Sequence, residues 1–266
     1  LLTIAKKLIE GLELPEQMCL NALVPEYLID LYLQAALKDK HMIINLEERE
    51  SDSPFVAAVM HGYTAVPGST IRPAESHWHM VFVKVNGRTH SLVVGPLTTS
   101  GLASWGDGAE ILWVKFKLGT FVPHWPTRKF LDSETNLPGA AHNAFWLNSS
   151  TWQLPDYNNV ETFVDWLVRD ELLVTDPVVA TVLQDRVPDV SSRTVRHRFL
   201  QSTGLSHNYI RQMKRAQEAA ALLERGVPIL DAVYELGYYD QPHLTRSLKQ
   251  FIGHTPSQIT HLSRFG

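Results

Sequence analysis

Apolar positions along this chain change their period twice, and each change marks a different kind of structure. At the start, Ile4, Leu8, Leu12, Leu20, Leu23, Leu28, Leu31 and Leu37 recur at helical spacing, interrupted at Pro15 and Pro25. The spacing predicts helix over residues 1–48. Its leucine stripe either packs back on its own domain or meets a second copy of the chain. The run Glu47-Glu48-Arg49-Glu50-Ser51-Asp52-Ser53-Pro54 reads as a solvated connector, so residues 1–54 are expected to form a helical N-terminal arm.

From Phe55 to Leu118 the pattern becomes short apolar runs rich in Val, Ile, Thr and aromatics. These are cut by Pro67-Gly68, Asn86-Gly87, Gly95-Pro96 and Gly106-Asp107-Gly108. Asn86-Gly87 between Met80–Val85 and Thr89–Val94 is a strong hairpin signal, because both turn residues tolerate positive φ. Residues 111–118 make another strand, and a small antiparallel barrel or sandwich is expected. Helical period returns over residues 158–173, with Val160, Phe163, Val164 and Leu167 on one face. Thr175-Asp176-Pro177 reads as a helix start, which puts a domain junction near residue 174 and a β-rich domain at 55–174.

The last third, 175–266, is helical throughout. A short helix over 178–183 is followed by a donor-rich one over 191–200, with Val195 and Phe199 inward. Arg193, Arg196 and His197 stand at i, i+3 and i+4, so they share the opposite side and can reach base edges together. Ser206 caps a long helix ending at Arg225, with Ile210, Met213, Ala216, Ala220 and Leu223 as its buried stripe. A short helix at 229–236 leads to the Gly237 turn. Asp240 then caps a helix with Pro242 in its first turn, Leu244, Leu248 and Phe251 inward, and Gln241, His243, Thr245, Arg246 and Lys249 off that stripe. Helix, glycine turn, donor-bearing helix is the sequence form of a helix-turn-helix. The two donor-bearing helices are separated by a helix of about 20 residues, roughly 30 Å long. That is close to one turn of B-DNA, about 34 Å.

Composition narrows the class. With 44% hydrophobic and 20% charged residues the chain is an ordinary globular protein, and its 266 residues suffice for two cores. The single cysteine, Cys19, excludes an intramolecular disulfide framework and a Cys-based zinc site. No apolar run is long enough to cross a bilayer and no signal-peptide pattern is seen, so a cytoplasmic location without membrane contact is expected. A net charge of −4 hides an asymmetry: from Asp176 onward there are 11 Lys and Arg against 8 Asp and Glu. The C-terminal third is the basic part, as a partner of nucleic acid would be.

The run Gly237-Tyr238-Tyr239-Asp240-Gln241-Pro242-His243-Leu244-Thr245-Arg246-Ser247-Leu248-Lys249, followed by Phe251-Ile252-Gly253 and Thr255-Pro256, resembles the C-terminal signature of AraC/XylS-type transcription regulators. Pro242 and Leu248 depart from the residues common there. The resemblance implies an α+β chain: a cupin-like antiparallel β-barrel, then an all-α domain with two helix-turn-helix motifs joined by a long linker helix. It places base reading on Arg193, Arg196, His197, Gln241, His243 and Arg246. Arg198, Arg211, Lys214, Thr245 and Lys249 are expected at phosphates. The implied partners are double-stranded promoter DNA, a small-molecule effector held by the N-terminal domain, a second copy of the chain, and RNA polymerase if the protein activates.

His77-Trp78-His79 invites a metal reading, since alternate residues of a strand share a face. The glutamate that a cupin metal site needs a few residues on is absent from residues 80–86, so no metal or other cofactor is expected. His77, His79, Trp105, Trp113 and Phe116 are instead candidates to line an effector pocket. No Gly-rich phosphate loop, Gly-x-Ser-x-Gly elbow or carboxylate pair occurs, so no enzymatic activity is expected. The competing reading is a cupin-like metal-dependent enzyme or small-molecule-binding protein whose helices form an interaction module. Metal bound through His77 and His79 would favour it.

Overall fold

The computed structural model describes residues 44–265. The helical arm expected at the start of the chain, with its leucine stripe, lies outside the described residues up to position 43. Of its remainder, Ile44–Glu50 is neither helix nor connector but strand β1, antiparallel to β2 (Val56–Thr64) from Ile44 opposite Thr64 to Glu50 opposite Ala58. The charged run holds this edge position because Arg49 has a distant partner. Its guanidinium lies 2.6 and 2.9 Å from the two carboxylate oxygens of Glu161 and donates to the Tyr157 carbonyl at 2.6 Å. A local reading of charge along the chain does not see a bond that spans more than a hundred residues.

β1 and β2 belong to a six-stranded antiparallel sheet of order β1-β2-β7-β4-β5-β9. Its other strands are β4 (His79–Val85), β5 (Arg88–Val94), β7 (Glu110–Phe116) and β9 (Glu134–Leu137). The Asn86-Gly87 turn forms as its sequence demands: φ is 50° and 73° at the two residues, and Val85 pairs with Arg88 across them. Outside this sheet, β3 (Gly68–Arg72) pairs with β6 (Gly101–Trp105). β8 (Thr120–Phe121) pairs with β13 (Val174–Thr175), and β10 (Gly139–Ala140), β11 (Ala144–Leu147) and β12 (Ser150–Gln153) form a three-stranded unit.

Runs such as Met80–Val83 and Ile111–Val114 are buried without alternation because both faces of the large sheet are apolar. On one face Met80, Phe82, Leu112, Val114 and Phe116 pack with Phe145, Trp152 and the inner side of helix α1 (Val160–Arg169), which contributes Phe163 and Leu167. On the other, Met60, Val81, Val83, Leu92, Val94, Ile111 and Trp113 form a separate cluster. α1 stops earlier than its apolar period suggests: Glu171 takes φ 57° and turns the chain so that Leu172 and Leu173 drop into the core as non-helical residues.

The rest of the chain is helical. It comprises α2 (Pro177–Leu183), α3 (Ser192–Thr203), α4 (His207–Glu224), α5 (Ile229–Glu235), α6 (Gln241–Phe251) and α7 (Pro256–Phe265). The polar residues expected before α2, α4 and α6 cap them, and Ser191, expected inside the donor-rich helix, caps α3 instead. Asp176 accepts from the amides of Val178 and Val179, Ser191 from Thr194, Ser206 from Tyr209 and Asp240 from His243. The expected stripe of α4, from Ile210 to Leu223, is buried against Phe199, Val233, Tyr238, Leu244, Leu248, Phe251 and Ile259.

Candidate nucleic-acid interface

Burial sorts the donors of α3. Phe199, Ser202 and Thr203 are buried and Val195 half-buried, which leaves Arg193 and His197 on the far side, with Arg196 beside them; all three are exposed. Arg198 points elsewhere: its Nη1 is 3.4 Å from Oδ2 of buried Asp176, the residue that caps α2. In α6, Leu244, Ser247, Leu248 and Phe251 are buried. Pro242, Arg246 and Lys249, spaced i, i+4 and i+7, lie opposite that strip and are exposed. Gln241 is exposed at the flank. Thr245 spends its hydroxyl on the Gln241 carbonyl at 2.9 Å.

His243 is more engaged than its position predicts. Its ring stands edge-on to Tyr238 at 5.2 Å, and Nδ1 accepts from the Tyr239 amide at 3.4 Å. The Arg215 guanidinium sits 4.4 Å from the centre of the Tyr238 ring. The six expected base-reading residues thus divide into five exposed donors and one histidine packed at the entry of α6. Arg211 and Lys214 are exposed on α4 between the two helices. α4 has 18 residues, so it spans about 27 Å.

Both donor-bearing helices end against the sheet region. The last carbonyls of α6 have no partner within the helix. Ser100 donates its amide to Gln250 O at 2.8 Å and its hydroxyl to Lys249 O at 3.1 Å, and the Ala74 amide donates to Phe251 O at 2.7 Å. Gly253, at φ 86°, leaves no room for a Cβ because Ile71 occupies that space. The Tyr209 hydroxyl donates to Thr98 O at 2.8 Å and accepts from Gln250 Nε2 at 3.2 Å. At the end of α3, Thr127 donates its hydroxyl to Ser202 O at 2.9 Å, and Gly204, at φ 74°, packs on Leu131. Nothing in the local sequence around Ala74 or Ser100 announces these contacts.

The five residues expected to line an effector pocket do not converge. Trp113 faces the second apolar cluster, whereas Phe116 is on the opposite face of the sheet, stacked on Trp78 at 4.0 Å. Trp105 lies on β6 and donates to Val66 O at 3.1 Å. His77 Nδ1 is 2.6 Å from Glu75 Oε1. His79 is buried, and burial pushes its pKa down to about 3, so it is neutral at physiological pH. Among the described residues no three His, Cys, Asp or Glu side chains are grouped to hold a metal ion. A cleft of about 390 Å³ elsewhere is lined by Trp125, Leu137, Trp146 and Asn148 among others. Among the described residues no helix is long and apolar enough to cross a membrane.

Comparison with known proteins bears on the helical region. The HTH-type transcriptional regulator RipA of Corynebacterium glutamicum is 34% identical over 92 residues, which are 34% of this chain and 28% of that protein. The chain therefore spans less than a third of the length of that relative. The crystal structure of ToxT from Vibrio cholerae O395 bound to (E)-4-(8-methylnaphthalen-1-yl)but-3-enoic acid overlays 83% of this chain and 98% of that one. The identity is 9% and the TM-score 0.31, too low to bear on this fold. Residues 187–261 match a family described as a helix-turn-helix domain. Residues 187–261 thus match a helix-turn-helix domain, and a relative of part of the chain is a transcriptional regulator.

Proposed function

We propose that the protein is a sequence-specific DNA-binding transcription regulator that reads promoter DNA through two helices, α3 and α6. One observation carries this: α3 and α6, which precede and follow α4 in the chain, each pack one stripe on the helical core and leave Arg with His or Gln side chains exposed off that stripe. In this reading residues 175–266 are the DNA-binding domain, with two helix-turn-helix units joined by α4. Arg193, Arg196, His197, Gln241 and Arg246 reach base edges, with His243 positioned at the entry of α6. Arg211, Lys214 and Lys249 meet phosphates, and Arg198 joins them when it leaves Asp176.

Residues 55–174 then act as the sensor and dimerisation domain, holding a small-molecule effector and passing its state to the helices through the contacts on α6. A second copy of the chain and, for an activator, RNA polymerase are the implied protein partners. The sheet region makes a control function the natural complement, because three carbonyls of a recognition helix are held by its backbone and side-chain donors.

A gel-shift titration of the full chain on the DNA upstream of its own reading frame tests the proposal. The expected result is a complex that survives competitor DNA and weakens steeply with salt. A well-folded chain that forms no such complex, or binds all duplexes alike, overturns it.

A further inference from the structure

The cleft of about 390 Å³ lies where an edge of the large sheet meets two turns. β9 ends the strand order, so among the described residues one of its edges has no hydrogen-bonded strand beside it, and Thr135, Asn136 and Leu137 line the cleft from there. A second wall is the turn that sets Val122 opposite Trp125, closed by the Trp125 amide on the Val122 carbonyl at 3.0 Å. The third is the β11–β12 hairpin. Leu147 pairs with Ser150 across Asn148 and Ser149, which take φ of 49° and 65°, and the Trp146 amide donates to the Pro138 carbonyl at 2.7 Å.

The lining restricts what can sit there. It contains two indoles: Trp125 is half-buried, with its ring 5.5 Å from that of Phe130, and Trp146 is 45% exposed. Val122, Leu137 and Leu147 are buried and add apolar surface. No Asp, Glu, Lys or Arg lines the cleft, His124 is its one titratable residue, and Asn136, Asn148 and Ser149 are exposed and neutral. A charged ligand would give up water with no opposite charge to meet it. A flat apolar ring gains dispersion and quadrupole contact on indole faces, and a side-chain amide offers both donor and acceptor to a polar group on its edge. The volume falls within the roughly 300–1,000 Å³ of small-molecule sites.

We propose that this cleft binds a small neutral aromatic compound, its ring on the Trp125 and Trp146 indoles and a polar group on its edge met by the Asn136 or Asn148 amide. The regulatory meaning of such a ligand rests on the effector reading above, whereas the site and its ligand class stand on these residues. The wall formed by Trp125 continues directly into the turn Thr127–Phe130. There the Thr127 hydroxyl donates to Ser202 O of α3 at 2.9 Å, and Leu131, next along the chain, packs on Gly204 at the end of that helix. An occupant that fixes Trp125 therefore acts on the end of α3, while the donors from Ala74 and Ser100 act on α6.

The full chain is titrated by calorimetry with cinnamamide, cinnamate and cinnamylamine, which share one body and differ in charge, and with cyclohexanecarboxamide and glucose. The expected result is saturable binding of cinnamamide, about tenfold or more tighter than any of the other four. Trp146→Ala weakens cinnamamide about fivefold or more and leaves the melting temperature close to that of the parent, since much of the ring is already in water. Asn136→Asp weakens cinnamamide and admits cinnamylamine, because it sets a negative charge on the rim. Should Trp146→Ala melt far lower than the parent, the Asn136→Asp result decides.

The proposal is overturned if cinnamamide does not bind at millimolar concentration, if the acid or the amine binds as tightly, or if glucose or the cyclohexane amide takes its place. It is also overturned if both Trp146→Ala and Asn136→Asp bind cinnamamide unchanged. Gel shifts at saturating cinnamamide keep the two readings apart. Binding through Trp146 that leaves DNA affinity unchanged keeps the site and removes the effector role. A change in DNA affinity that Thr127→Val abolishes while cinnamamide still binds supports the route through α3. A chain that binds cinnamamide and forms no DNA complex keeps the site and overturns the regulator reading.

Discussion

The two donor-bearing helices begin alike and end differently. α3 and α6 both start from a capping oxygen, Ser191 at 3.2 Å from the Thr194 amide and Asp240 at 2.7 Å from that of His243. At its far end α3 is closed by its own Gly204, which packs on Leu131, and takes one hydroxyl bond, from Thr127. α6 gives three successive carbonyls, of Lys249, Gln250 and Phe251, to donors of the sheet region. The position of α3 is therefore shared with the Thr127–Phe130 turn and β8, through packing and one hydroxyl. The position of α6 is shared with β3 and the segment before β6.

Five measurements break or sharpen this contrast. The largest effect is expected in the core: Phe199→Ala and Phe251→Ala each destabilise by about 3–5 kcal/mol, since both rings are buried. Native-state hydrogen exchange separates them, because only Phe251→Ala should also speed exchange at the Ala74 and Ser100 amides. Next, Gly253→Ala forces a side chain into φ 86° and against Ile71, for about 1–3 kcal/mol by chemical denaturation. The same change at Gly237, where a Cβ meets nothing within 4 Å, carries only the backbone strain and should cost less.

On DNA, Arg196→Ala and Arg246→Ala should each lose about 1–3 kcal/mol of affinity and relax one base position. Equal weakening on every sequence would turn that residue into a phosphate contact. Smaller still, Ser191→Ala and Asp240→Ala remove the two caps and lower the melting temperature by an amount equivalent to about 1 kcal/mol each.

The smallest effect concerns β1. Arg49, hydrogen-bonded to Glu161, holds that carboxyl at about 2 rather than its ordinary 4.5. A depressed carboxyl stabilises the fold above its unfolded pKa and loses that contribution as pH falls from about 4.5 toward 2. The pair is partly exposed, so the contribution is at most about 1 kcal/mol. Glu161→Gln should flatten that limb of an acid titration followed by near-UV circular dichroism.

What was legible in the sequence follows the range of the interactions. The helices from Pro177 to Phe265 are bounded by caps, glycine turns and prolines whose partners are three residues away, so Asp176, Ser191, Ser206 and Asp240 can be found by inspection. Asn86-Gly87 is legible for the same reason. β1 was not, because a Glu-rich run becomes an edge strand only through β2 and through Arg49 with Glu161. The pocket residues fared worst. Trp113 and Phe116 are three apart on one strand, and that odd interval alone puts them on opposite faces. Arg72 stands in a Gly-Ser-Thr-Ile-Arg-Pro stretch with no local signal of burial, since its burial depends on strands brought from elsewhere.

The three carbonyls at the end of α6 also limit how this chain can be cut or recombined. A fragment starting at residue 175 keeps α2 to α7 but strips the donors from Lys249, Gln250 and Phe251, leaving water to serve them. A chimera that joins these helices to another protein's sensor meets the same gap unless the new partner presents two amides and a hydroxyl at the same places. The junction expected near residue 174 divides the sequence, whereas the hydrogen bonds at the end of α6 cross it.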